Sequence, residues 1–364
     1  MKRIWINSLI MLISGLAAAN SRAAVGTISG PFTHRNLQVC LVHGDTQLED
    51  RHYATLSEAM AKGIVLVRET GNVRELSIEN VSKDTTVFLN AGDIVKGGRQ
   101  DRTIRDDLIL TSRSGIVPLS SFCVEHGRWT KRGEENPAAF SGNSKVLSSR
   151  KLKLASRYGL DQGEVWSSVA EQQSKLNDNV SRLAGKSVET RSPASSSSLQ
   201  LTLENKELDD VKKHYLEQLD AILGGKTDVI GFIYAINGEI NSAEVYNNKS
   251  LFRALWPKLL DAAVTEAVAE FKSGREVQPL QSADLKAFFE TALSGSVQER
   301  SVWKTTRVKT YTTPSTLLFE TLDVDADSRW IHKSFLNKGS EKIVVPLDRE
   351  PGSYRQRGEP RSIR

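Results

Sequence analysis

Between Glu79 and Trp129, short apolar runs alternate with glycine and charged turns, the pattern of strands joined by tight connections. Thr86–Asn90 is an apolar strand leading into Asn90-Ala91-Gly92-Asp93. Gly97-Gly98 and the charged Arg99-Gln100-Asp101-Arg102 follow. Leu108–Leu110, Gly115–Leu119 and Phe122–Glu125 continue the strands, and the stretch closes on Glu125-His126-Gly127-Arg128-Trp129. Upstream, Leu37–His43 and Ile64–Glu69 read as strands, and Leu56–Met60 as a short helix that Gly63 ends. Val73–Glu79 alternates Val73, Leu76 and Ile78 with Arg74, Ser77 and Glu79, which predicts a half-buried antiparallel strand.

The period then changes. From Arg150 to Lys186, Trp166, Val169, Leu176, Val180 and Leu183 fall on one helical face without an intervening proline. Ser192-Pro193-Ala194 and the serines to Ser198 make a flexible break. Leu208, Val211, Tyr215, Leu219 and Ile222 mark an amphipathic helix stopped by Gly224-Gly225. Val229–Ile236 and Ile240–Tyr246 form a hairpin about Asn237-Gly238. Helices over Leu251–Phe271 and Ala283–Leu293 precede strands at Val302–Lys309, Thr316–Leu322 and Arg329–Lys333. Strands and helices come in blocks and do not alternate, so the class is α+β. A mainly antiparallel β-sheet N-terminal half packs with a helix-containing C-terminal lobe. The expected division is a β-rich lobe at 24–190, a Ser-rich linker at 191–200, an α+β lobe at 201–345 and a basic tail at 346–364.

Residues 1–23 read as an export signal: Lys2 and Arg3, an apolar run from Ile4 to Ala19, then Ser21-Arg22-Ala23. The expected location is extracytoplasmic, periplasmic or secreted, with no membrane span after cleavage. Loss of the leader takes the net charge from +5 to +2, and the last fourteen residues hold four arginines against Glu359 alone. The remaining body has 42 basic and 43 acidic residues, which argues against a nucleic-acid partner. Cys40 and Cys123 are either a disulfide in an oxidising compartment or two buried thiols.

The candidate site lies in the opening stretch. Gly97 and Gly98 permit positive φ and bare amides, and Arg99 and Arg102 are placed to hold a carboxylate or phosphate. The alternative is a plain turn in which those arginines pair with Asp106 and Asp107. Strand alternation sets Glu125 and Gly127 on one face and His126 and Arg128 on the other, with Trp129 as the floor of a pocket. Glu125 and Asp93 are the candidates for acid–base work. No GxSxG, HExxH or SxxK pattern is present. His34, His43, His52, His214 and His332 have no metal-ligand spacing and read as surface or capping residues, so neither a metal nor a cofactor is expected.

The run VFLNAGDIVKGGRQDR, followed by IVPLSSFCVEHGRW, resembles the ARG and rhodanese-phosphatase-superfamily-associated protein domain family. Asp161-Gln162-Gly163-Glu164-Val165-Trp166 and GFIYAINGEINSAEVYNNKSLFRALW resemble its later segments, so the likeness spans Leu37 to Leu336. Its recurrent polar positions fall on Asp93, Gly97, Gly98, Arg99, Gln100, Arg102, Glu125, Arg128 and Trp129. Gln162 and Trp166 join them if the segments meet. Arg99 stands where lysine also occurs, and Asp93 where glutamate is common. The resemblance brings no established chemistry; the family's name hints at ADP-ribose or phosphate-related ligands. Three readings follow: a binding module for an anionic or polyhydroxylated small molecule, a hydrolase of glycosidic or phosphate-type bonds, and a buried ion network clamping two sheets.

Overall fold

The computed structural model describes residues 26–143, 145–274 and 276–339; the leader at 1–23 and the tail at 346–364 lie outside them. The α+β class holds. Among the described residues, the largest sheet has eight antiparallel strands. They run in the order Ile28–His34, Leu37–His43, Val229–Ile236, Glu239–Tyr246, Arg329–Asn337, Thr316–Asp323, Thr306–Thr312 and Ser296–Trp303. Leu37–Val42 is buried on both faces, so this strand needs an interior place, and it pairs with Val229–Ile236. The sheet therefore joins strands from both sides of the expected 191–200 boundary.

The helix Lys249–Ala269 crosses one face of this sheet, packed by Gln162–Ala184 and Lys206–Leu219. Its last carbonyls lack helical partners. Asn36, Asn179 and Asn237 each donate a side-chain amide, at 2.8 Å, to the carbonyls of Ala267, Ala269 and Glu270. Two hairpin turns and a neighbouring helix are thereby fastened to one helix end. On the opposite face, Ser282–Leu293 sets Phe288 and Phe289 against Phe335.

The opening stretch forms a separate layer. Six strands run in the order Phe140–Asn143, Ile94–Gly97, Arg102–Ile104, Ile116–Cys123, Glu75–Asn80 and Val65–Asn72. Tyr53–Thr55, Thr86–Leu89 and Leu108–Leu110 make a three-stranded sheet beside them. Gly115–Leu119 and Phe122–Glu125 prove to be one strand, Ile116–Cys123. Its first part pairs with Glu75–Asn80 and its last with Arg102–Ile104. The helical stretch expected over 150–186 is interrupted. Arg150–Lys153 runs into a π-helical turn, Leu154–Gly159, and Leu160 turns left-handed at φ 51°. Asp161 then caps the main helix, whose C-terminus Gly185 closes at φ 65°.

Charged side chains bridge the two layers. His332 Nδ1 lies 2.8 Å from Asp107, and Nε2 lies 2.9 Å from Glu244. Both partners are carboxylates, so both ring nitrogens donate and the imidazole is a cation. Glu244 also accepts from Lys153 at 2.6 Å, and Asp107 accepts from the Ala91 amide at 2.7 Å. His332 is thus a core residue and not the surface or capping residue expected. Burial depresses its imidazole, but Asp107 and Glu244 outweigh burial and raise it above 6.5. Burial works against the Glu244 carboxylate too, yet Lys153 and His332 bring it down to about 2, and His332 likewise holds Asp107 well below its ordinary range.

The signs give a pH profile. The raised His332 contributes stability fully below pH 6.5, lost as pH rises through its folded value. The depressed Asp107 and Glu244 contribute above their ordinary 3.8 and 4.5, and that part is lost as pH falls through their folded values. Urea unfolding should show greatest stability between about pH 5 and 6.5 and a decline on the alkaline side. His332→Gln should flatten the alkaline decline. An unchanged decline in that variant would remove His332 as its source.

Candidate functional site

The charged turn and the CVEHGRW segment do meet. The strand ends at Cys123, so alternation stops before Glu125 and the chain coils through Val124–Gly127. Glu125 and Arg128, expected on opposite faces, consequently form an ion pair at 2.7 Å. Asp101 lies beside them, its amide donating to Glu125 Oε2 at 3.2 Å. Both carboxylates are 0% exposed.

Arg132 organises this pair. Its guanidinium forks onto Asp101 with bonds of 3.1 and 3.2 Å, lies 3.5 Å from Glu125, and reaches Glu135 at 2.9 Å. Ser195 Oγ donates to Glu125 at 2.5 Å and Ser198 Oγ to Asp101 at 2.8 Å. Burial pushes the Asp101 carboxyl up, against the bonds from Arg132. Burial also opposes ionisation of Glu125, but the Arg128 and Ser195 bonds win and lower it. Sequence reasoning missed Asp101 as a ligand of the cluster, and also Arg132, Ser195 and Ser198. Arg132 follows Arg128 by one helical spacing in a segment that is not a helix, so no periodicity marks it. The serines of 191–200, expected as a flexible linker, are docked here, with Ser198 capping the helix Leu199–Leu203.

The other expected residues have definite places. Gly97 and Gly98 have φ of 121° and 57°, as a ligand-cradling turn would need. Their amides are already used, by Asp101 Oδ1 at 3.1 Å and the Ala139 carbonyl at 3.0 Å. A β-carbon on Gly98 would come within 2.7 Å of both Glu69 and the Phe140 ring. Packing therefore demands glycine there. Gln100 donates to the Glu125 carbonyl at 2.8 Å and accepts from Arg102 at 3.0 Å. Arg102 is buried against Glu69 at 3.4 Å and also contacts the Cys123 sulfur. Neither Arg99 nor Arg102 pairs with the acidic dyad: Asp106 binds Arg105 and Arg300, and Asp107 binds His332. Asp93 is elsewhere, in a buried pair with Lys258, so it does not converge with Glu125. Cys40 and Cys123 are both free and buried. Gln162 pairs with both backbone groups of Cys123 at 2.9 Å, and Trp166 packs edge-on to His126 at 4.5 Å between ring centres.

The outer edge of this cluster is open. Arg128 Nη1 donates to the Gly98 carbonyl at 3.3 Å, which ties the turn before Arg99 to the segment before Trp129. Arg99 is exposed; its backbone amide bonds Glu69 at 3.0 Å, and its guanidinium has no partner among the described residues. Trp129 is 47% exposed. Among the described residues, no group of three or more His, Cys, Asp or Glu is arranged to hold a metal ion, and no helix is long and apolar enough to cross a membrane.

Removing one partner from a closed buried cluster strands the others. Arg132→Ala should lower stability by about 3–5 kcal/mol in chemical denaturation. Arg99→Ala and Trp129→Ala should stay within about 0.5 kcal/mol of the parent. Equal small losses in all three would mean that water replaces Arg132 freely.

Comparison with curated proteins and with solved structures gives no significant match. The family model for the ARG and Rhodanese-Phosphatase-superfamily-associated Protein domain matches residues 26–336, which includes both halves of the cluster and most of the eight-stranded sheet, and the chain belongs to that family.

Proposed function

We propose that this is a secreted or periplasmic binding protein for an anionic or polyhydroxylated small molecule, with the rim at Arg99 and Trp129 as its contact surface. The observation that carries the reading is an exposed guanidinium, unpaired among the described residues, and a half-exposed indole, each next in sequence to one of the bonded residues Gly98 and Arg128 of a closed ionic cluster. A guanidinium recognises carboxylate or phosphate groups by parallel bonds, and an indole face stacks on a sugar or a flat ring. The export leader read in residues 1–23 supports the location.

The interior residues take a different role in this proposal. Asp101, Glu125, Arg128 and Arg132 are committed to one another, and Arg102 to Glu69, and together they hold the rim rigid, which lowers the entropy lost on binding. The ion-network reading thus describes the inside of the motif, and the binding reading its edge. The hydrolase alternative lacks support: Glu125 is 0% exposed with its carboxylate saturated, and Asp93 is tied to Lys258. A general acid or base must reach the proton it transfers.

A thermal-shift screen of the chain from residue 24, using sugars, organic acids and nucleotides, tests the proposal. A ligand should raise the Tm of the parent, and Arg99→Ala and Trp129→Ala, which keep the parent's own Tm, should each weaken that ligand at least about tenfold. A ligand bound equally well by both variants would place the site on another surface.

A further inference from the structure

The interlayer network contains a cation that its neighbours leave unsatisfied. Arg157 is 4% exposed, and none of its three side-chain nitrogens has a hydrogen-bond partner among the described residues. Its guanidinium lies over the face of Phe319, 4.0 Å from the ring centre. In the strand register Phe319 is paired with Ser334, whose fully buried hydroxyl also lacks a partner. Leaving such groups unpaired in a dry interior is strongly unfavourable.

Charge is in surplus at the same place. Asp106 is bound by Arg105 at 2.7 Å and by Arg300, and Arg157 acts on it from the interior. The neighbouring carboxylates do not balance this excess, because Asp107 is committed to His332, and Glu244 to His332 and Lys153. Among the described residues, Arg105, Arg157, Arg300, Lys153 and His332 gather about Asp106, Asp107 and Glu244, and Arg157 acts on both aspartates without a hydrogen bond to either. In the sheet register Arg300, Val308, Thr321, His332 and Tyr246 are successive partners across five strands, so they share the face that meets this network. The π-helical turn Leu154–Gly159 carries Arg157 and follows directly on Lys153. Turns of this type are rare and concentrate at functional sites.

We propose that Arg157 and Arg300, on either side of Asp106, form a second site, distinct from the Arg99–Trp129 rim, that takes a small phosphate-class oxyanion. A tetrahedral oxyanion offers the acceptors that Arg157 lacks and offsets the cationic excess, and guanidinium forks match its geometry. Arg300 is 38% exposed and bonded to Asp106, so it stands where this cluster meets solvent. The ligand is either free phosphate or the terminal group of a phosphate monoester.

The test is phosphate-dependent stability of the chain from residue 24, with potassium chloride at matched ionic strength as the control. Inorganic phosphate at millimolar concentration should raise Tm by about 2 °C or more over the chloride control. Methyl phosphate as a second arm separates the sources: an equal rise admits an ester, and no rise confines the site to the free ion. Arg157→Met should melt at or above the parent without phosphate, since it removes an unpaired buried cation, and should lose the phosphate response. Arg300→Ala, altered at a partly exposed position, should weaken phosphate at least about tenfold. A parent indifferent to phosphate, or a response retained in both Arg157→Met and Arg300→Ala, would overturn the proposal.

Discussion

Carboxylates at the seam between the eight-stranded sheet and the motif layer are closed to solvent, and they stay ionised only beside cations. The penalty for burying an ion is several kcal/mol even after relaxation, against a total stability of about 5–15 kcal/mol for a domain. One unmatched carboxylate would therefore use up much of the protein's margin. The pairs Asp107–His332–Glu244–Lys153 and Asp93–Lys258 close that requirement across the seam. They also fix the spacing of the layers, because each cation comes from a different element: the Arg329–Asn337 strand, the helix Arg150–Lys153 and the helix Lys249–Ala269.

The same physics explains the motif cluster. Asp101 and Glu125 are neighbours of like charge, and two guanidinia and two serine hydroxyls make that neighbourhood tolerable. Arg128 and Arg132 both come from the loop after Cys123, so pairing the acids also ties down that loop, and with it Trp129. A segment rich in glycine and exposed polar residues thereby acquires a fixed rim without secondary structure of its own.

Much of the fold was legible. Alternation at Leu76 and Ile78, the Asn237-Gly238 turn and the spacing of Leu208, Val211 and Tyr215 each express a local rule, and each element formed near its expected bounds. The motif halves were also recognisable as one region. The partners were less so. Arg102 was expected to meet a ligand and meets Glu69; Asp93 was grouped with Glu125 and belongs to Lys258; His332 was expected at the surface and sits in the core. Pairings of this kind join residues separated by up to 225 positions, and no local pattern encodes them.

The sequence by itself determined many of the strands and helices and the family, because those depend on residues within a turn or two of one another; it ran one strand over Val302–Lys309, where Ser296–Trp303 and Thr306–Thr312 are two strands of a hairpin. Tertiary structure alone decided which charges are spent inside and which remain exposed. That outcome depends on burial, and burial is settled only when distant elements pack: a guanidinium beside a buried carboxylate becomes scaffold, and the same group at an open rim, as at Arg99, stays available.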